Sequence, residues 1–364
     1  MKKHKKEYGK KKTNIAFIAP KIFVILAAVI ILVLPFLPAG FSSETKFIDI
    51  QKGYGATKIS YVLKKEGVIR SRIAFRLLAK LRGGKMKAGE YELSASMLPW
   101  SIITNMKDGK VVSHPVTVPE GFTVRQVAKL YEEKGLALEK RMEELCSDKE
   151  FIEKCGIDAP GLEGYLFPST YFITKDMKEE EILLMMTKEF KDMWKKNGFD
   201  MVIKEKKKKI NDVLKLASLV EREAETAFDR PLVAGVFTNR LKKKMRLESC
   251  ATVVYAFGEK EMYKDRLTGR DLMIDSPYNT YLHAGLPPGP ICNPGIASIK
   301  AAIFPAETKM LFFVLKQDGS HSHTFSETKQ QHEKAILAAK ASKVQGTSNK
   351  GQETRDKRQV KSSK

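Results

Sequence analysis

Two glutamates in a helical stretch are the first candidates for chemistry. An amphipathic helical pattern runs to about Ala224. When each residue is turned by about 100°, Leu216 and Leu219 share one arc of this helix, and Glu223 falls between them. Glu221 falls at the edge of the arc. Burial disfavours the charged form of a carboxyl and raises its pKa, which a general acid near neutral pH requires. The pattern therefore makes Glu223 a candidate general acid.

An alternative keeps the same helix and removes the chemistry. Charged side chains are mostly exposed, and a helix that ends near Glu223 would leave this carboxylate in solvent. Lys215, Ser218 and Arg222 lie on the opposite, polar arc. After a short break, a second helix is predicted to begin near Asp229, whose side chain suits the N-cap position.

A further carboxylate lies in residues 161–172, which are rich in glycine and aromatic residues. Aromatic faces beside a carboxylate suit sugar rings, which stack their C–H faces and hydrogen-bond through their hydroxyls. Glu163 and Tyr165 are therefore candidate sugar contacts. The same residues equally suit a buried turn in which backbone N–H groups satisfy Glu163, and composition leaves both interpretations open.

Proline- and glycine-rich loops cover residues 275–290. Long loops of this kind inside a compact domain are commonly functional. Tyr278, Asn279, Tyr281 and Asn293 would give a cleft neutral hydrogen-bonding groups.

Histidine and cysteine residues give no metal motif. His321 and His323 would face the same side of a strand, but the sequence positions no third ligand, so no metal is predicted. The four cysteines match no zinc or redox spacing. Cys146 and Cys155 could pair in an oxidising compartment or remain free and buried.

The amino-terminal region indicates a membrane anchor. Residues 1–13 are basic, and residues 22–37 contain no charge. With the apolar residues before them, they form a predicted transmembrane helix over residues 14–38, since a span takes about 20 residues. The preceding lysines place the amino terminus in the cytoplasm and the chain from about Ser42 on the outer side of the cell (inner) membrane. A cleaved signal peptide is the less favoured alternative, because no clear small-x-small site follows.

The net charge of +22 is uneven. Much of it lies in the first 13 residues and in the basic tail, residues 341–364, which both suit solvated segments. No nucleic-acid motif accompanies the charge, so we predict no nucleic-acid partner.

The exported part has an α+β pattern. Strand, glycine and helix signals recur over residues 47–69 and 116–136, with a strand, turn and helix between them. Residues 42–136 are predicted to form a small α+β region, either a glycan-binding module of LysM type or a spacer. Residues 137–340 are predicted to form a second, mixed α/β domain.

Several of these segments together carry a family resemblance. The chain resembles the membrane-anchored endolytic murein transglycosylases, the YceG-like family, from about residue 15 to 340. The matching motifs occur in the order expected for the family: residues 162–168, 217–223, 233–241, 245–247, 252–255, 278–281, 285–289 and 323–325.

The resemblance implies a LysM-like region followed by a catalytic domain with a lysozyme-like catalytic glutamate on a helix. It implies cleavage of the β-1,4 bond between N-acetylmuramic acid and N-acetylglucosamine within peptidoglycan strands, with 1,6-anhydro ends and no cofactor. Cell-wall synthesis enzymes are implied as partners. Glu223 matches the catalytic glutamate. The candidate substrate-binding residues are Glu163, Tyr165, Glu221, Asn239, Tyr278, Asn279, Tyr281 and Asn293.

Three positions depart from the family pattern. Cys250-Ala251 stands where Asp-Pro is usual, Ala224 stands where a hydroxyl residue is frequent, and Glu248 stands where glutamine is frequent. These departures affect secondary contacts. They also leave room for a rival hypothesis, a non-catalytic, membrane-anchored scaffold that binds peptidoglycan.

Overall fold

The computed structural model describes residue 29 and residues 31–258 and 267–342. Contacts divide the chain into two units, which are described separately. The first comprises Met1–His114 with Thr174–Asp176, and the second comprises Pro115–Ile173 with Met177–Lys364.

The first unit is a small α+β structure. Strands β1 (Thr45–Ile50) and β2 (Gly89–Ser94) pair antiparallel, with Thr45 opposite Ser94. Helices α1 (Ala56–Lys65), α2 (Arg72–Arg82) and α3 (Pro99–Asp108) complete it. The strands and helices predicted for residues 47–69 and for the segment between the repeats are therefore present. Its core is made by buried apolar side chains from every element, including Ile48, Ile50, Leu63, Phe75, Tyr91, Leu93, Ile102 and Met106.

The second unit is mainly helical. Its strands form two-stranded sheets, β3 (His114–Thr117) with β4 (Thr170–Ile173), and β5 (Phe312–Leu315) with β6 (His323–Ser326). The mixed α/β prediction for this region is thus correct only in that the region contains both helices and strands. The helices include α4 (Val124–Glu133), α5 (Glu139–Ser147), α6 (Lys149–Lys154), α7 (Glu179–Lys196), α8 (Phe199–Glu205), α9 (Ile210–Glu223), α10 (Asp229–Lys242), α11 (Cys250–Phe257) and α12 (Ile296–Ile303), and residues 329–342 are also helical.

Helix α9 lies at the centre of the second unit and packs against α10, α11 and α12. Leu216 and Leu219 are buried, as their shared arc predicts. Ser218, placed by the sequence on the polar arc, is buried too. Its hydroxyl donates to the Lys215 carbonyl oxygen at 2.8 Å and accepts the N–H of Ile291 at 3.0 Å. A helix that packs against several neighbours buries more surface than one apolar arc, so Ser218 is buried although it lies on the arc opposite Leu216 and Leu219.

The start of α10 also differs in detail from the prediction. Asp229 is the first residue of the helix, and Phe228 is at the N-cap. The Asp229 carboxylate is buried and accepts the backbone N–H of His323 at 2.7 Å. It therefore ties α10 to β6.

Two predictions about the first 136 residues stay predictions. The proposed anchor, residues 14–38, falls largely outside the described residues, and no helix in the described part of the chain is long and apolar enough to cross a membrane. The LysM-like assignment of residues 42–136 spans the division between the two units, because residues 115–136 make their contacts in the second.

Gly235 gives a test of the packing of α10. A Cβ at this position would lie 2.6 Å from the Ala306 carbonyl oxygen and 2.9 Å from Thr308 Cγ2. We expect Gly235→Ala to lower the free energy of unfolding by about 1–2 kcal/mol, because overpacking outweighs the better helix propensity of alanine. Urea unfolding followed by circular dichroism measures this change.

Gly269→Ala is the matched control, since nothing lies within 4 Å of the corresponding Cβ. Equal stability of the two variants would contradict the packing described here.

Candidate active site

Glu223 is the last residue of α9, and the chain turns to an extended conformation at Ala224. The helix thus ends where the solvent-exposed alternative required, yet the residue is half-buried instead of free in solvent. The hydroxyl of Ser249 donates to Glu223 Oε1 at 2.5 Å. The backbone N–H of Ala251 also bonds to this carboxylate. Both donors come from the first turn of α11, so the start of α11 fixes the position of the carboxylate.

Buried hydroxyl groups hold Ser249 in place. The backbone N–H of Ser249 donates to Thr280 Oγ1 at 3.0 Å, and the Thr252 hydroxyl donates to the Ser249 carbonyl oxygen at 2.7 Å. Thr252 and Thr280 lie 3.0 Å apart, oxygen to oxygen. Sequence analysis missed Ser249. Ser249 lies between two of the matching segments, residues 245–247 and 252–255, and nothing in the sequence pairs it with Glu223.

Opposing effects set the proton affinity of Glu223. Burial raises its pKa and is the largest effect, while the hydrogen bonds from Ser249 and Ala251 and the charges of His323 and Arg222 lower it. The net shift is upward. The carboxyl therefore holds a proton more readily than an ordinary glutamate, and the same donors stabilise its anion once the proton has left. This arrangement suits a group that first gives and then takes a proton.

Glu163 occupies a second, half-buried site. Both of its oxygens accept the N–H of Val124, the first residue of α4, at 3.0 and 3.2 Å. The Tyr255 hydroxyl and the Asn293 amide nitrogen donate to it at 3.3 and 3.4 Å. Burial raises the pKa of Glu163 to about 8 against these bonds. The interpretation as a turn is met in that Glu163 accepts a backbone N–H, while its role as a sugar contact stays a prediction.

Glu163 also faces a cavity of about 570 Å³. This volume is typical of small-molecule sites, which take about 300–1,000 Å³. Tyr255 and Tyr278 line it with their ring centroids 4.9 Å apart. Ala251, Val254, Tyr255 and Gly258 of α11 also line it, whereas Glu223 does not. Ala251, in the first turn of α11, thus contacts the Glu223 carboxylate and also lines the cavity beside Glu163.

In three predicted substrate contacts, the side-chain amide is hydrogen-bonded to backbone groups. Asn239 donates to the carbonyl oxygens of Thr308 and Met310. Asn279 is fully buried and donates to those of Leu272 and Ile274. Asn293 is also fully buried, and its Oδ1 accepts the N–H groups of Gly164 and Leu166 at 2.9 and 3.0 Å. These amides position loops, and Asn293 fixes the segment that carries Glu163.

The other predicted contacts divide between core and cleft. Tyr165 is 3% exposed and packs edge-on against Phe190, so it belongs to the core. The Glu221 carboxylate accepts the N–H of Gly295 at 2.9 Å. Tyr278 lines the cavity beside Glu163, and Tyr281 lies by Cys250, with 3.1 Å between its Oη and the sulfur.

The histidines and cysteines do not come together. His321 pairs with Glu225 and His323 with Asp229. Within the described ranges, no three His, Cys, Asp or Glu residues are grouped to hold a metal ion. All four cysteines are free, so Cys146 and Cys155 are unpaired and buried.

Comparison with known proteins gives a consistent result. The model of the YceG-like family matches residues 48–338. The chain belongs to the YceG-like family. The family resemblance drawn from the motifs is thereby confirmed.

The relatives found for this family member include a protein of Bacillus subtilis (strain 168) named endolytic murein transglycosylase. It is 36% identical over 311 residues, which cover 81% of this chain and 84% of that protein. A protein of the same name from Streptococcus pneumoniae (strain D39) is 31% identical over 301 residues, covering 73% of this chain but only 53% of the pneumococcal protein. A crystal structure of a putative YceG-like protein from Listeria monocytogenes is 34% identical with a TM-score of 0.56, and the match covers 80% of this chain and 99% of that one.

One departure from the family pattern now has a structural consequence. Ala251 stands where we expected proline from the resemblance. A proline has no backbone N–H, so the N–H that Ala251 gives to Glu223 depends on this substitution. This chain therefore stabilises the ionised form of Glu223 with one more hydrogen bond than a proline at the same position allows.

Glu163 makes stability depend on pH. The folded protein retains its proton up to a pH of about 8, whereas the unfolded chain releases it near the ordinary value of 4.5. The folded state therefore loses stability relative to the unfolded state as the pH rises from about 4.5 to 8. Glu163→Gln removes this titration, so we expect the variant to gain stability over the wild type between pH 5 and 8.5. The gain should be about 1 kcal/mol or more, since one pKa unit corresponds to about 1.4 kcal/mol.

Urea unfolding of both proteins at the two pH values measures this gain. Glu205→Gln, at an exposed position on α8, is the control and should follow the wild type. A Glu163→Gln variant whose stability changes with pH in parallel with the wild type would show that Glu163 does not retain its proton in the fold.

Proposed function

We propose that this chain is a membrane-anchored lytic transglycosylase that cleaves the β-1,4 bond between N-acetylmuramic acid and N-acetylglucosamine inside peptidoglycan strands. The observation that carries the proposal is Glu223, a carboxyl held in a desolvated place by Ser249 and Ala251 with its pKa raised. The family membership and the printed names of the relatives support the substrate class.

One carboxyl is sufficient for this reaction. Most glycosidases use two, one as acid and one as nucleophile or base. The charged neighbours that act on Glu223 are His323 and Arg222, both basic residues. Glu163 has a different set of contacts, from Val124, Tyr255 and Asn293. This arrangement suits a mechanism in which the substrate supplies its own nucleophile.

The steps follow from the two states of Glu223. Protonated Glu223 gives its proton to the leaving glycosidic oxygen as the C1–O bond breaks, and positive charge develops at C1 of the muramic acid. The carboxylate, stabilised by Ser249 and Ala251, then takes the proton from the C6 hydroxyl of the same sugar. That oxygen bonds to C1 and forms a 1,6-anhydro end. Water is not consumed, and the proton balance needs neither a metal nor an organic cofactor.

The cavity beside Glu163 is the proposed site for part of the glycan. Protonated Glu163 can donate a hydrogen bond, and Tyr278 offers an aromatic face. Tyr281, next to Cys250, is proposed to contact sugar near the reacting bond. Glu221, Asn239, Asn279 and Asn293 support these groups through the backbone contacts described above.

The anchor, residues 14–38, is proposed to hold the enzyme at the outer face of the cell membrane. Tethering confines an enzyme to a thin layer and raises its effective concentration on glycan made there. Termination of new strands, in partnership with cell-wall synthesis enzymes, follows as the biological proposal. The rival hypothesis, a scaffold that binds glycan without cutting it, gives no use for the raised pKa of Glu223.

Glu223→Gln tests the activity directly. We expect the wild-type chain in detergent to release 1,6-anhydro-muramic ends from purified peptidoglycan, and the variant to lose at least about 100-fold in rate, the lower range for general acid–base catalysis. Mass spectrometry of the digest identifies the ends. Glu225→Gln, two residues along at an exposed position, is the matched control and should retain activity.

Each other outcome has a distinct meaning. Reducing ends would identify a hydrolase and direct the search to a second carboxylate. Full activity in a folded Glu223→Gln protein would remove this residue from the mechanism. Glycan binding by the wild type without any product would favour the scaffold.

Ser249→Ala tests how the proton affinity of Glu223 is set. Loss of the Ser249 hydrogen bond removes an interaction that favours the anion, so the pKa of Glu223 should rise further. A hydrogen bond to a charged group contributes about 1.5–3 kcal/mol, so the alkaline limb of the kcat/KM profile should move up by about one pH unit. Ala251→Pro should move it the same way, because proline removes the N–H and is tolerated in the first helical turn.

Cys250→Ala is the control for this pH profile. Cys250 lies between the two donors in sequence and contacts Tyr281. The alkaline limb of this variant should stay at the wild-type pH. A limb that also stays in place in both Ser249→Ala and Ala251→Pro would mean that another group controls it.

A further inference from the structure

Helix α2 in the first unit exposes apolar side chains to solvent. Ile73, Leu77 and Leu81 are 78%, 48% and 72% exposed, and their spacing of four residues places them along one side of the helix. The other side of α2 packs into the core through Ala74 and Phe75. A small unit that already has a core does not need this exposed stripe for folding. Exposed apolar patches of this kind mark interaction sites.

Basic side chains run beside the stripe. Arg72, Arg76 and Lys80 are exposed on α2, and the helix contains no acidic residue. A helix with apolar residues on one side and only basic residues beside them is typical of helices that lie in the surface of an anionic membrane.

Aromatic residues flank α2 on both neighbouring helices. Tyr61 of α1 is half exposed and lies under the Arg72 guanidinium at 5.2 Å. Trp100 of α3 is 48% exposed and lies under that of Arg82 at 4.2 Å. Tyr and Trp are enriched at the level of lipid headgroups. We call the stripe, the basic residues beside it and these two flanking aromatic residues the α2 face: Tyr61, Arg72, Ile73, Arg76, Leu77, Lys80, Leu81 and Trp100.

The described end of the apolar amino-terminal segment lies against α2. It ends at Leu37, and its last residues, the 3-10 turn Leu34–Phe36, pack against α2. Pro38 forms a bridge with Ile69, and the Arg70 side chain donates to the Pro38 carbonyl oxygen. Only two residues separate Ile69 from Arg72, the first residue of α2, so the two are at most about 11 Å apart along the chain.

We infer that the α2 face docks on the surface of an anionic lipid bilayer and fixes the orientation of the first unit on the membrane. The inference rests on the proposed anchor, since residues 34–38 bring α2 next to the end of the apolar segment. A peripheral contact of this kind supplies the second signal that gives a tethered unit a defined position. The basic residues select anionic lipids, each changing the docking equilibrium about fivefold at the membrane surface.

Trp100 is a built-in reporter for the test. The chain has two tryptophans, and the other, Trp194, is 3% exposed in the core of the second unit. The full chain is placed in nanodiscs of phosphatidylcholine with or without phosphatidylglycerol, whose acyl chains carry bromine close to the headgroup. We expect quenching of tryptophan emission in the anionic nanodiscs, and loss of this quenching in Trp100→Phe.

Two sets of variants separate apolar from charge contributions. Ile73→Ser with Leu77→Ser and Leu81→Ser should abolish the quenching. Arg76→Gln with Lys80→Gln should lower the docked-to-undocked ratio by about 30-fold in anionic nanodiscs.

The matched control removes three exposed apolar side chains from the second unit, Leu138, Met201 and Leu337. Their replacement by serine should leave the quenching unchanged.

The outcomes distinguish the docking surface from the anchor. If carbonate extracts the full chain from membranes, the anchor proposal is wrong, and flotation with anionic vesicles then decides whether the α2 face binds lipid by itself. If the chain resists extraction and Trp100 emission is unaffected by brominated lipid, the α2 face does not contact the bilayer and instead suits a protein partner. Quenching that persists in the triple serine variant would also overturn the inference.

Discussion

The desolvation of one carboxyl group at the end of α9 is the constraint on which the site depends. Helices α10, α11 and α12 pack against α9, and Glu223 at its carboxyl-terminal end is half-buried. Burial raises the pKa of Glu223 and favours its protonated form, which helps the residue to give a proton and opposes its recovery. The start of α11 supplies the compensation through Ser249 and Ala251. The packing and the hydrogen bonds act in opposite directions on the same pKa, and their balance makes both proton transfers possible.

Glu163 shows that burial alone does not define the acid. Its pKa is also raised, to about 8, but its contacts join the start of α4 to Asn293 and Tyr255. Asn293 in turn accepts from Gly164, whose φ of +87° and contact with Pro290 leave no room for a Cβ. Glu163 is thus part of a connection between distant segments and at the same time a wall of the cavity. We infer its role in binding from the cavity, and the role of Glu223 in proton transfer from its donors.

The sequence predicted the parts of this arrangement that follow from periodicity. The end of α9 and the placement of Glu223 beside buried Leu216 and Leu219 required only the helical repeat, and the start of α10 near Asp229 followed from capping signals. Ser249 was missed because 26 residues separate it from Glu223, and no local pattern records that contact. Asn239, Asn279 and Asn293 were read as ligand contacts because an amide that satisfies backbone groups has the same sequence signal as one that faces a cleft. Tyr165 followed the same logic, since an aromatic ring suits a sugar or a core equally well.

Each unit contains side chains whose polarity does not match their surroundings, but in opposite directions. In the second unit, Glu223 is a carboxyl group in a partly desolvated site, and its hydrogen bonds offset the free-energy cost of burying it. In the first, Ile73, Leu77 and Leu81 are apolar groups in a polar place, and the basic residues beside them restrict what can cover them. A partner core made of apolar surface alone would leave Arg76 and Lys80 without counter-charges, whereas an anionic bilayer offers acyl chains and phosphates together. The bilayer therefore satisfies both parts of the α2 face at once, and this is the physical reason for preferring it to a hydrophobic protein groove.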